Sequence, residues 1–419
     1  MAAKPKQKVA ILSLGCPRNL VDSESILGRL SLKGYPVTDD IGKADIAIVN
    51  TCAFTQEAKA ESIEAILDLV ELKQEGRLKK IIVAGCLSQR YKDVLPREIS
   101  QVDAFVGAPS LNHSLKRYPL TPQHFAYLKI CEGCINHCSY CAIPRIKGRF
   151  TSLDMGSLVH KAQEFDRQGT KELNIIGQDI TGYGLDLYRG LKLTELLREI
   201  IKKTKNIRWL RLLYLYPARV SDELIDLIKN EPRICKYIDL PVQHINGRIL
   251  KLMRRRTSGS DILRLIDKIR SRIPGVALRT SIIVGFPSES EKEFAELLKF
   301  IEEVRFERLG AFIYSREEGT AAYKFPGQLA HRTKMSRFNA VMSKQQEISK
   351  QVNALWLGKT MQVLLDAREK DAYLARSEFD APEVDGLVYV SSRRELKPGD
   401  FLKVKIQDTL EYDLTGEAV

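Results

Sequence analysis

Cysteines at 131, 134, 138 and 141 lie within eleven residues, and four more stand at 16, 52, 86 and 235. As thiolates they are strong metal ligands and nucleophiles. Cys134, Cys138 and Cys141 form C-x-x-x-C-x-x-C. Three thiolates in one loop can hold three irons of a 4Fe-4S cluster and leave the fourth iron open to a non-protein ligand. Adding Cys131 gives a superficial zinc pattern, but zinc pairs usually stand a dozen or more residues apart so that the chain can wrap the ion. A ferredoxin-type cluster would use C-x-x-C-x-x-C, which is absent. Cys131 itself reads as a buried strand thiol.

Cys16, Cys52 and Cys86 look scattered, yet each follows an expected strand: Val9–Leu14, Ile46–Asn50 and Ile81–Ala84. In a parallel sheet the carboxyl ends lie along one edge, where loops build ligand sites. The fold would bring these three together for a second cluster with an open iron, or they are three unrelated buried cysteines. Geometry alone leaves both readings open. Weaker signals are the glycine-rich Gly177–Gly184, where Gln178 and Asp179 are either ligand contacts or turn residues. Arg254–Arg256 reads first as a solvated charge run, and His137 and His244 as hydrogen-bonding residues.

The elements that must position these residues follow from the pattern of apolar runs. The chain has 419 residues, 44% hydrophobic and 28% charged, close to globular averages, which excludes disordered, collagen-like and coiled-coil classes. No apolar run reaches membrane-spanning length and no signal-peptide core follows Met1–Lys8, so the expected location is the cytoplasm. There structural disulfides are rare, and metal binding or catalysis better explains eight cysteines. The net charge of +13 points to an anionic partner or a nucleoprotein setting. Residues 1–117 alternate strands with helices at Ser23–Leu32 and Gln56–Glu75, predicting a parallel α/β domain. Residues 118–125, with two prolines, read as a linker. Over 126–357 six strands are expected, at Tyr127–Cys131, Glu172–Ile176, Trp209–Leu213, Tyr237–Leu240, Val276–Val284 and Arg308–Ile313. That is two short of a closed eight-stranded barrel, so a partial (βα)6 barrel is predicted, with His331–Trp356 as its exit helix. Residues 358–419 carry short alternating strands, at Met361–Leu365, Leu387–Val390 and Phe401–Ile406, and read as a small all-β barrel.

The cysteine loop, with aromatic Tyr140 before its last cysteine, resembles the signature of radical S-adenosylmethionine enzymes, whose fold is a partial barrel. The resemblance implies that the open iron binds S-adenosylmethionine, with Tyr140 beside the adenine and Gln178 and Asp179 as further cofactor contacts. The order of cluster-binding α/β domain, radical barrel and TRAM-like β-domain resembles the methylthiotransferases over essentially the whole chain. Leu14-Gly-Cys-Pro-Arg-Asn-Leu-Val-Asp-Ser-Glu24 is similar to the type that modifies protein S-twelve of the small ribosomal subunit. Tyr183-Gly184, Leu240–His244, Ile283–Pro287 and Asp380–Gly386 also match the family.

This resemblance implies two 4Fe-4S clusters, on Cys16/Cys52/Cys86 and Cys134/Cys138/Cys141, and two S-adenosylmethionine molecules, one a methyl donor and one a radical source. The methylthio group would go to the β-carbon of an aspartate in protein S-twelve, free or in the ribosomal subunit, with an electron donor as second partner. Two alternatives are an adenosine of transfer RNA as substrate, and a non-catalytic iron–sulfur protein that binds RNA or ribosomes. From Gly358 to Val419, nine Lys and Arg face thirteen Asp and Glu. A domain that grips RNA should be basic. The acidic group Glu378, Asp380, Glu383 and Asp385 is therefore expected to present Asp380, Glu383 and Asp385 to a basic protein substrate.

Overall fold

Four strands, β1 (Val9–Ser13), β2 (Ile46–Thr51), β3 (Lys80–Gly85) and β4 (Ala104–Phe105), lie in that order and run parallel in the computed structural model. The structure describes residues 6–109, 117–370 and 372–419, so part of the basic N-terminal stretch lies outside it. β2 is buried along its whole length, as an apolar run without alternation requires. Helix α1 (Pro17–Leu32) crosses from β1 to β2, and α2 (Gln56–Gln74) crosses from β2 to β3 under an N-cap from Thr55. α1 starts at Pro17 rather than at the expected Ser23. Its early turns bury the polar Asn19, Asp22, Ser23 and Glu24, so no apolar period marks them.

The second sheet contains β5 (Phe125–Lys129), β8 (Glu172–Ile176), β9 (Trp209–Leu212), β10 (Ile234–Asp239), β11 (Ala277–Val284) and β12 (Arg308–Ile313), all parallel and in chain order. The outer strands β5 and β12 do not pair, so the barrel is open. Between β5 and β8, β6 (Cys131–Glu132) and β7 (Thr151–Ser152) form a small antiparallel hairpin. Helix His331–Ala354 packs along β12 and leads out of the barrel.

Strands β13 (Thr360–Glu369), β14 (Ala372–Ser377), β15 (Val388–Ser391), β16 (Phe401–Thr409) and β17 (Leu414–Ala418) close into a five-stranded barrel. β14 and β17 were not expected. β14 buries Arg376 and Ser377, and β17 carries Gly416, where a Cβ would sit 2.5 Å from the Lys405 carbonyl. Neither reads as an alternating apolar strand. Among the described residues no helix is long and apolar enough to cross a membrane.

The acidic loop after β14 is turned inward, against the open barrel, and this corrects the expectation of an acidic docking surface. Asp380 is 2% exposed and accepts from Arg308 Nε at 3.0 Å. Asp385 accepts from the Tyr237 hydroxyl at 2.6 Å and from Arg279 Nε at 3.3 Å. Glu378 accepts from the Lys236 N–H at 3.0 Å, whereas Glu383 stays exposed as expected, with one oxygen accepting from the Tyr127 hydroxyl at 3.3 Å. The cause is charge neutralisation. Arg279 and Arg308 project from barrel strands with little exposure, and an unpaired, largely buried cation is costly.

Candidate functional site

The register of the first sheet brings three of the cysteines together. Ser13 pairs with Asn50 and Asn50 with Ala84, so the three strands end level. Cys16, Cys52 and Cys86 follow within two or three residues and line one cavity of about 470 Å³. Asn19 organises this edge: its Nδ2 donates to the carbonyls of Leu14 and Thr51, both at 3.0 Å, and its Oδ1 faces Cys86 Sγ at 3.7 Å. Gly15 keeps the space free. It has φ +88°, and a Cβ there would stand 2.7 Å from Cys52 Cβ and 2.9 Å from Cys52 Sγ.

Cys134, Cys138 and Cys141 sit in the loop after β6. Ser139 pins this loop, donating its N–H to the Met253 carbonyl at 3.0 Å and its hydroxyl to the Leu252 carbonyl at 2.7 Å. Asn136 N–H reaches Cys134 Sγ at 3.4 Å, and Arg255 Nη1 reaches Cys138 Sγ at 4.0 Å while its guanidinium stacks on Tyr216. Tyr140 packs on the apolar cluster of Ile249, Met253 and Phe286. Cys131 is turned away towards Gly177 and the Asp179 carbonyl, apart from the loop trio's partners.

Arg18 ties the first trio to the barrel. Its Nε donates to Cys16 Sγ at 3.4 Å, its Nη1 to the Gly177 carbonyl at 3.2 Å, and its guanidinium lies 4.6 Å over the Tyr214 ring. Burial raises the Cys16 thiol, but the Arg18 charge and hydrogen bonds outweigh it, so Cys16 lies below its ordinary value. Burial instead pushes Cys86 and Cys141 up to about 12, and raises Cys52 and Cys134. On Cys141 the Arg18 charge works in the lowering direction but does not outweigh burial.

The donor set fits iron–sulfur clusters better than single ions. Among the described residues, no three His, Cys, Asp or Glu side chains converge to hold one metal ion. In a cluster each thiolate binds its own iron, so the sulfurs need not converge. All six are free thiols, and the glycine cradle at Gly15 leaves the room a cluster needs.

Of the other expected contacts, Gln178 lines the cavity with Cys16, Cys52 and Cys86. Asp179 is buried against Asn136 Nδ2 at 2.7 Å and an Arg219 ion pair, a structural environment at the base of the loop. Asn19 and Lys147 were not singled out from sequence, and of the charge run Arg254–Arg256 only Arg254 and Arg256 are exposed, whereas Arg255 turns inward to Cys138 and the Pro241 carbonyl. Arg18 and Asn19 lay inside a quoted motif, but their partners are distant in the chain and local spacing carries no trace of them. Lys147 pairs with Asp22 at 2.9 Å and with Glu132 at 3.7 Å, fastening the first domain to the barrel. A second fastening is Glu317, which pairs with Lys59 at 2.9 Å and Arg90 at 2.7 Å.

Three family models match the chain: Uncharacterized protein family UPF0004 over residues 8–107, the Radical SAM superfamily over 128–301 and the TRAM domain over 357–419. The chain is 44% identical to a protein of Clostridioides difficile named ribosomal protein uS12 methylthiotransferase RimO, covering 98% of this chain and 99% of that one. It is 46% identical to the protein of the same name in Caldanaerobacter subterraneus, covering 98% and 100%. Among solved structures, it resembles the radical S-adenosylmethionine methyltransferase TsrM of Kitasatospora setae with TM-score 0.55 and 14% identity, over 76% and 77% of the two chains. That last likeness speaks for the fold alone.

Proposed function

Because the chain belongs to the ribosomal protein uS12 methylthiotransferase family, we propose that it transfers a methylthio group to the β-carbon of an aspartate in protein uS12. The chain is a radical S-adenosylmethionine transferase, which sets aside the non-catalytic alternative, and its radical domain goes with a 4Fe-4S cluster and S-adenosylmethionine. In our reading Cys134, Cys138 and Cys141 hold that cluster, with Tyr140 beside the adenine, and Cys16, Cys52 and Cys86 hold a second. When bound, these groups supply a radical able to take hydrogen from an unactivated C–H bond and a sulfur that a second S-adenosylmethionine has methylated.

The single observation that carries this reading is the cavity that Cys16, Cys52 and Cys86 line together with Gln178 and with Ile143, two residues after Cys141, so the first trio opens towards the barrel's cysteine loop. The residues then have separable tasks. Asn19 holds the three strand ends in place, and Gly15 keeps a Cβ out of the sulfur-lined space. Ile143, Ile146, Phe312 and Ile313 wall the cavity with apolar surface and limit water, which protects a reactive carbon centre. Hydrogen removal by a radical needs no general base.

The test is mass spectrometry of uS12, and of transfer RNA nucleosides, from strains with and without the gene. The expected result is loss of a methylthio-aspartate from uS12 with unchanged transfer RNA. Loss of a methylthio-adenosine instead would sink the proposal in favour of the transfer RNA alternative.

A further inference from the structure

We infer that Arg18 and Gln178 form the receptor for the substrate's aspartyl residue, Arg18 taking its carboxylate and Gln178 Oε1 accepting a backbone N–H. The inference deepens the proposed function and rests on it.

The cavity is lined by three charged side chains: Glu57, Lys147 and Arg18. Glu57 is exposed, and Lys147 is neutralised by Asp22 and Glu132. Among the described residues, no carboxylate pairs with Arg18. The arginines of the barrel interior are matched, Arg211 to Glu172, Arg279 to Asp239, Arg308 to Asp380 and Arg376 to Asp366, and Arg255, which like Arg18 has no carboxylate, spends its Nη2 end on the Pro241 carbonyl. The Cys16 sulfur occupies only the Nε side of Arg18 and the Gly177 carbonyl one hydrogen of Nη1. The Nη2 end has no partner among the described residues, which leaves a planar fork suited to a carboxylate.

The guanidinium is held in place. Tyr214, on which it stacks, has a positive φ of +67°, and its N–H donates to Asp239 Oδ2 at 2.9 Å. A strained backbone fixed by a buried carboxylate is a built platform.

Gln178 supplies an independent observation. Its Nε2 donates to Glu132 Oε1 at 2.6 Å. A carboxylate held by Lys129 and Lys147 only accepts, so the amide orientation is settled and the oxygen points the other way. That Oε1 is buried without a partner. Buried acceptors left unmade are costly, so a donor belongs there. Arg18 is tied to Gly177, the residue before Gln178, so cation and acceptor stand side by side. An aspartyl residue in a peptide offers an anion and an N–H together. Transfer RNA would offer Arg18 only a backbone phosphate and not an anion on the reacting group itself, so Arg18 is the residue of the pair that would read aspartate against asparagine.

The experiment measures binding of purified uS12, and of uS12 with the modified aspartate changed to asparagine, to the anaerobically reconstituted full-length enzyme. The natural enzyme should prefer the aspartate form by about 10- to 100-fold, the range for a hydrogen bond to a charged group. Arg18→Gln should bring that ratio to about 1, with residual binding intact. Arg18→Lys keeps the charge but loses the fork, so its ratio should fall at least about threefold and stay above 1. Gln178→Leu should weaken both forms by about fivefold and leave the ratio unchanged. An undiminished preference in Arg18→Gln overturns the inference. Should that variant fail to load iron, an undiminished ratio in Arg18→Lys overturns it equally, and unchanged affinity in Gln178→Leu removes the glutamine half. If the natural enzyme binds neither form and modifies transfer RNA, the functional reading has failed first and takes the inference with it.

Discussion

The barrel has two ends that use charge in opposite ways. Inside the barrel, on the side closed by the C-terminal domain, Arg211, Arg279 and Arg308 are each matched by a carboxylate, and two of those carboxylates come from the loop after β14. At the carboxyl ends, the thiols of Cys16, Cys52 and Cys86 border an apolar cavity whose Arg18 has no carboxylate among the described residues. The matched charges fasten the two domains, and Arg18 keeps an end free for a ligand. The C-terminal domain thus belongs to the barrel's own structure: its Asp380 and Asp385 finish a wall that six strands cannot close.

The largest test of this comparison is deletion of residues 358–419. Arg279 and Arg308 would lose partners, and Trp209 would lose the Phe401 ring packed 4.9 Å from its own. The expected outcome is loss of cooperative unfolding, read by calorimetry, and a truncated chain that melts like the whole would break the comparison. The single change Asp380→Ala should cost about 3–5 kcal/mol, because it strands a buried arginine. The same change at the open end should spare the fold. Cys134→Ala, Cys138→Ala and Cys141→Ala together should reduce iron from about eight to about four per chain and abolish S-adenosylmethionine cleavage, without lowering the melting temperature of the apoprotein. Loss of all iron would mean that the trios are not two independent sites.

A smaller effect is expected at the clamp between first domain and barrel. Glu317→Gln leaves Lys59 and Arg90 without their buried carboxylate and should destabilise by about 2–3 kcal/mol in denaturant titrations. The smallest concerns Glu293, whose carboxyl is held at about 2 by hydrogen bonds from Arg248 and Ser290, against an ordinary 4.5. A depressed acid stabilises fully above pH 4.5 and loses that contribution as pH falls towards about 2. Arg248 is half-exposed, so solvent screening reduces the contribution to about 1 kcal/mol. Arg248→Gln should flatten stability between these pH values, and an unchanged acid limb would refute the pairing.

Much of the architecture was readable before any coordinates. The six barrel strands appear where apolar runs stand, because strands buried on both faces need continuous apolar residues. The Cys134–Cys141 loop was legible for a simpler reason: chain connectivity alone keeps its sulfurs close. The Cys16, Cys52 and Cys86 trio was half legible. Each cysteine visibly followed a strand, but only the parallel register of β1, β2 and β3 brings them to one cavity.

What tertiary structure alone decided concerns polar residues. Asp380 and Asp385 read as a solvated acidic surface, and the fold turns them onto Arg308 and Arg279. α1 hid its first turns because Asn19, Asp22 and Glu24 are buried there. The pairing of Arg18 with Gly177 joins residues 159 apart in the chain. Apolar residues announce their burial through periodicity, since water expels them whatever their partner. A charged residue has the same sequence signature in water or in a buried pair, and only its partner, brought from far along the chain, settles which it is.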